Sequence, residues 1–63
     1  MKDFGDNLRK VRKRRKLTQV EAAKLAGIGQ SLWSEYETGV RNPTLEQAER
    51  LAKAVGSTLK QLI

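Results

Sequence analysis

Gln30, Ser31, Ser34 and Glu35 bring an amide, two hydroxyls and a carboxylate into six residues, at spacings of three and four that line up along one side of a helix. Groups of this kind exchange hydrogen bonds with planar polar edges. Gln30 can both donate to and accept from the N6/N7 edge of an adenine, and Ser31 can serve most base edges. Leu32, between them, can touch a thymine methyl or equally lie half-buried as an ordinary helix side chain. A second kind of chemistry sits upstream in the run from Arg9 to Lys16, RKVRKRRK, where seven of eight residues are basic. With 13 Lys and Arg against 7 Asp and Glu in the chain, six basic and seven acidic residues remain outside the run, which sum to −1 of the total +6. The basicity is therefore read as one patch: a solvated helix face in the plain reading, a phosphate-facing surface with sequence-independent affinity in the functional one.

Bond-breaking chemistry has little to work with. The chain has no cysteine and no histidine, which excludes thiol and imidazole catalysis, disulfides, and zinc sites built on those ligands. A serine-lysine or carboxylate enzyme passes the composition test, but 63 residues leave little room for a cleft that shifts pKa values and encloses a substrate. We expect no enzyme, no catalytic residue, no cofactor and no metal.

The elements that must carry these side chains are legible from caps and breakers. Thr18-Gln19-Val20-Glu21 is a capping box that starts a helix over Gln19 to Ala26, and Gly27 stops it in the left-handed conformation. Ile28-Gly29 leaves almost no chain before a second helix, Gln30 to Thr38, so the two must cross closely. Ala22, Ala23 and Ala26 offer a small face for that crossing, and Ile28, Trp33 and Tyr36 supply apolar bulk. Gly39 ends the second helix, and Pro43 keeps Asn42 out of the helical region. Thr44-Leu45-Glu46-Gln47 opens a further helix with Leu45, Ala48, Leu51, Ala52 and Val55 on one stripe, closed by Gly56. Thr58-Leu59-Lys60-Gln61 opens a last short one, whose Leu59 and Leu62 close the core. At the start, Phe4, Leu8, Val11 and Arg15 predict a helix from Phe4 to Arg15. No strand-like alternation occurs. The expectation is all-α: a compact bundle of five short helices with a central helix-turn-helix, forming a single domain over residues 1–63.

A chain of this size buries only about 60% of the surface it exposes when unfolded, so modest stability is expected. Hydrophobic content of 38% with a mean hydropathy of −0.62 fits a folded, polar-surfaced chain. No apolar run reaches the roughly 18 residues of a membrane span, and residues 1–20 hold no signal-like segment, so a cytoplasmic protein without membrane partners is expected. The basic run lacks the interleaved aromatics of an RNA binder and the broad apolar face of a lipid binder. A helix that follows a tight turn and presents polar side chains suits the major groove of B-DNA, which admits one helix and is read by its N-terminal residues. Gln30, Ser31, Leu32, Ser34 and Glu35 are the base-reading candidates.

The segment from Thr18 to Gly39 resembles the helix-turn-helix of the phage repressor and Cro family of bacterial regulators. Gln19, Ala23, Gly27, Ile28 and the Glu37-x-Gly39 ending fall where that family has them, and Arg41-Asn42-Pro43-Thr44 with the following helix continues the match from about Phe4 to Leu62. The resemblance implies a lambda-repressor-like fold and a transcriptional regulator, acting as a repressor, in a bacterial or phage cytoplasm at the nucleoid. It implies a double-stranded operator as partner, bound as a homodimer on half-sites about 34 Å apart. Leu59, Leu62 and Ile63 are candidates for the dimer contact. An antitoxin-type module that caps a toxin while binding its operator is the alternative.

The resemblance also assigns residues. Arg12 and Glu37 would form a partly buried ion pair bracing two helices, and Gln19 would lie beside Gln30, sharing a network with phosphate. Phosphate contacts are expected from Arg9, Gln19, Arg41 and Asn42, together with the amides that start the second helix and those of the 39–43 loop. Lys10, Lys13 and Arg14 would add a diffuse positive field. Three departures stand out. Glu35 occupies a position often basic or amide, and reads as a cytosine reader, a discriminator against wrong bases, or a residue turned to solvent. Ala22 stands where the family usually has a large apolar residue and Trp33 where it usually has Ile or Val, so the ring would fill the space the alanine leaves. Val20 replaces a polar residue and would be an exposed apolar spot.

Overall fold

Three threonines start three of the helices in the computed structural model, which describes residues 3–63. Thr18, Thr44 and Thr58 each accept from the backbone N–H three residues on, while the side chain of that residue (Glu21, Gln47 or Gln61) accepts from the threonine N–H. Short helices leave most of their end amides without intrahelical partners, and these reciprocal bonds satisfy two donors at each start. The five helices are α1 (Phe4–Arg14), α2 (Gln19–Ala26), α3 (Gln30–Thr38), α4 (Leu45–Ala54) and α5 (Leu59–Leu62). No strand occurs among the described residues.

The turn between α2 and α3 is closed by local bonds. Gly27 adopts φ 75°, and the Ile28 N–H donates to the Ala23 carbonyl at 3.0 Å, so α2 stops and the chain reverses within three residues. α3 then packs on both α1 and α2, α2 also rests on α4, and α5 bridges α4 and α1. Between these layers Trp33, Phe4, Leu8, Leu51, Val55 and Leu62 are the largest fully buried side chains, and Ala22, Ala23, Ala26, Ala48 and Ala52 fill the tight crossings. Trp33 and Ala22 are both fully buried. The far end is fastened by hydrogen bonds from Asn7 Nδ2 to the Leu62 carbonyl at 2.8 Å and from Arg15 Nη2 to the Gly56 carbonyl at 2.9 Å.

Three expectations are corrected. α1 ends at Arg14 with Arg15 as its cap, and its inward stripe is Phe4, Leu8 and Arg12, with Val11 half-buried and Arg15 exposed. Positions four apart on α1 carry the stripe straight into the basic run, so a charged residue takes the third inward place. Leu45 is 64% exposed rather than on the core stripe of α4. Helical side chains lean toward the N-terminus, so at the first position of α4 Leu45 overhangs the open end of the bundle. The basic run is not one patch, because successive helical residues turn by about 100°, so the six that lie in α1, Arg9 to Arg14, visit every face, and Arg15 and Lys16 follow its end.

Gly5 marks a close approach of α1 to α3. A Cβ at this position would stand 2.4 Å from the Tyr36 carbonyl oxygen and 2.6 Å from that of Glu37, both on the C-terminal turn of α3. The missing side chain lets the first turn of α1 press onto the backbone of α3.

Candidate nucleic-acid interface

The carboxylate of Glu37 is the point where three helices are fastened together. Arg12 on α1 donates from Nε to Oε2 at 2.6 Å and from Nη2 to Oε1 at 3.2 Å. Gln19, at the start of α2, donates from Nε2 to Oε1 at 3.0 Å, and the Trp33 indole N–H, one turn earlier on α3, donates to Oε2. The remaining side of the Arg12 guanidinium reaches the Leu17 carbonyl at 2.8 Å through Nη1. Glu37 is 4% exposed and Arg12 8%, yet no buried side-chain nitrogen or oxygen among the described residues lacks a partner. Burial on its own would push the Glu37 carboxyl up. The hydrogen bonds from Arg12, Gln19 and Trp33, with the Arg12 charge, outweigh it and hold the group below the ordinary glutamate range.

This cluster fixes how α3 is presented. Arg12 and Glu37 stand 25 residues apart in the chain, and through them the second half of α3 is referred to both α1 and the beginning of α2. Gln19 is half-buried, and its amide nitrogen braces the cluster by donating to the carboxylate. The indole partner escaped the sequence reading, although the signal was present: a buried indole N–H needs an acceptor, and Glu37 lies at the i+4 position.

On the other side of α3 the polar side chains point outward. Gln30 and Ser31 are exposed, and Leu32, Ser34 and Glu35 are half-buried. Leu32 packs against the core, which favours the half-buried helix side chain over a free methyl contact. Gly29 precedes α3 as its N-cap and offers no side-chain hydrogen bond to the helix start. Glu35 carries a contact that the sequence reading missed, since its Oε1 accepts from Arg41 Nε at 3.2 Å. Arg41 and Asn42 are both exposed in the loop beside the end of α3, but Arg41 is engaged by its own protein.

The basic side chains divide. Arg12 is spent on Glu37 and Arg15 on Gly56, while Arg9 stands 3.8 Å from Asp6, half-exposed. Lys10 and Arg14 flank a shallow groove with Asn7, Ser57 and Gln61, where α1 meets the approach to α5. Of the expected phosphate contacts, the structure thus leaves Arg9 and Asn42 exposed, pairs Arg41 with Glu35, and bonds Gln19 to Glu37.

Two helices joined through Gly27, the second held by a buried carboxylate and showing a polar face, define a helix-turn-helix domain. A family profile described as a helix-turn-helix domain matches residues 3–62. The chain belongs to this family, in its phage repressor and Cro-type branch. It is 37% identical over 60 residues to the cryptic phage CTXphi transcriptional repressor RstR of Vibrio cholerae, covering 95% of this chain and 54% of that protein. It is 34% identical over 59 residues to the immunity repressor protein of Bacillus phage phi105, covering 94% of this chain and 41% of the repressor. A third relative, the uncharacterized HTH-type transcriptional regulator y4dJ of Sinorhizobium fredii, is 36% identical over 59 residues, and 77% of its length is covered. The chain spans about half the length of the two phage repressors. Among the described residues, no helix is long and apolar enough to cross a membrane.

Proposed function

We propose that this domain binds double-stranded DNA in a sequence-specific way as the reading module of a transcriptional repressor, with α3 in the major groove. The observation that carries this is the division of α3 into two sides. Trp33, Tyr36 and Glu37 are buried and locked to α1 and α2, while Gln30 and Ser31 stand exposed at its beginning. A groove-reading helix needs such a division, because base discrimination is lost if the helix can rotate or slide against its support. Arg9 on α1 and Asn42 in the loop after α3 supply phosphate contacts that set register. The two phage repressors in the same family support the repressor role.

One domain of this size covers few base pairs, so selective binding requires two copies on adjacent half-sites. Leu62 is fully buried and Leu59 partly so, which leaves Ile63, 68% exposed, as the available member of the apolar end. The reading is tested by selecting bound sequences from a random duplex pool at two salt concentrations. An enriched half-site, repeated as an inverted pair, is the expected outcome, with affinity falling steeply as salt rises. A pool that stays unenriched at both salts would contradict it, and would favour an antitoxin-type role resting on protein contacts.

A further inference from the structure

Glu35 is tied to the loop that follows its own helix. Gly39, at φ 83°, turns the chain at the end of α3. The Arg41 backbone N–H then donates to the Glu35 carbonyl at 3.2 Å, and Arg41 Nε donates to Glu35 Oε1, also at 3.2 Å. The backbone bond holds the loop in place whatever the side chains do. The ion pair itself is open to water, with side chains 40% exposed for Glu35 and 59% for Arg41, so it separates at small cost. Glu35 lies one helical turn beyond Ser31, on the outward half of α3.

These positions set up a competition. In a major groove, a carboxylate stripped of its cation is repelled by phosphate unless a base offers it a donor. Cytosine N4 and adenine N6 offer one, whereas guanine O6 and N7 and thymine O4 only accept. Arg41 faces the complementary choice between Glu35 and a phosphate oxygen.

We propose that Glu35 and Arg41 form an exchange latch that makes a phosphate contact conditional on sequence. Where a base amino group meets Glu35, the carboxylate takes that donor and Arg41 is released to phosphate. Where an accepting edge stands there, Arg41 stays on Glu35 and the phosphate contact is lost. A pair that costs little to open thereby penalises the wrong base twice. The inference rests on the DNA-reading role proposed above and names the residues that set its selectivity.

The test compares wild type, Glu35→Gln, Arg41→Gln and the double variant on the selected duplex and on duplexes altered one base pair at a time, across a salt series. Both side chains are substantially exposed, so the variants keep the fold. Glu35→Gln is expected to lose preference at one base pair. On duplexes altered there, it should bind about two- to five-fold more tightly than wild type, the range an exposed ion pair allows. Its salt slope on those duplexes should steepen by about 0.9 per domain, the increment for one added phosphate contact. The gain should vanish when Arg41 is also glutamine. A gain of equal size on every duplex, unaltered by Arg41→Gln, would overturn the latch and leave plain repulsion. Specific binding by wild type with strictly additive variants would remove the latch alone, and a wild type that binds no duplex would remove the DNA reading with it.

Discussion

Glu37→Ala is expected to cost about 3 to 5 kcal/mol of stability, the loss typical of removing one partner from a buried ion pair. The size follows from what is left behind. Arg12, 8% exposed, would keep its charge with only the Leu17 carbonyl to face, and the Gln19 amide and the Trp33 indole N–H would lose their acceptor at the same time. A domain of 63 residues has a total stability of only about 3 to 9 kcal/mol at 0.05 to 0.15 kcal/mol per residue, so at least about a third of the margin goes. Chemical denaturation of the variant should show a midpoint lowered by about a third or more. A loss under about 1 kcal/mol, the range of exposed pairs, would mean that the carboxylate braces nothing.

The same group gives a pH signature. Because the folded protein holds Glu37 below its ordinary value, its ionised form contributes stability that is complete above the unfolded-state pKa, about 4.3, and fades as pH falls through the lower folded value. Glu37→Gln lacks this contribution. The difference in melting temperature between wild type and Glu37→Gln should therefore narrow as pH drops below about 4.3. A difference that widens in acid would reverse the assigned direction.

Gly5→Ala is the second large effect, with an expected loss of about 1 to 3 kcal/mol from overpacking. Alanine is ordinarily the better helix residue by about 1 kcal/mol, so propensity alone predicts a gain here. The geometry decides the sign. The added Cβ meets the carbonyl oxygens of Tyr36 and Glu37 at 2.4 and 2.6 Å, and these are backbone atoms that cannot swing aside. α1 must back away from α3, and that movement pulls Arg12 from Glu37. Thermal unfolding of Gly5→Ala measures it, and a variant as stable as wild type would show that the two helices have slack. A shortfall in DNA affinity at temperatures where the variant remains folded would show the displaced α3 directly.

What could be read from the chain divides by distance along it. The starts of α2, α4 and α5 are each written within four residues, because a capping box closes on its own backbone, and the Gly27 stop is equally local. The pairing of Arg12 with Glu37 spans 25 residues and no local rule yields it; the family resemblance suggested it. The contacts that escaped are those that depend on how helices cross. Gln19 turns to Glu37 because α2 starts beside the C-terminal half of α3, and Arg41 reaches Glu35 because Gly39 returns the loop along the helix. Gly5 drew no reading from the sequence, because only the crossing of α1 over α3 shows that a Cβ there would meet the α3 backbone. The basic run looked like one surface because a sequence is linear, whereas its winding sends Arg12 into the core and Arg15 to Gly56.

The central claim is that the exposed start of α3 reads bases while residues beside it hold phosphate. The most direct measurement is the affinity of Gln30→Ala and Arg9→Gln, each on the selected duplex and on a scrambled one. Neither side chain belongs to the Glu37 cluster, so stability should stay near that of wild type. Gln30→Ala should lose about 1 to 3 kcal/mol on the selected duplex and almost nothing on the scrambled one, with preference relaxed at a single base pair. Arg9→Gln should weaken both by a similar factor and reduce the salt slope by about 0.9 per domain. Equal losses on both duplexes for Gln30→Ala would contradict the account, since α3 would then be holding the backbone and reading nothing.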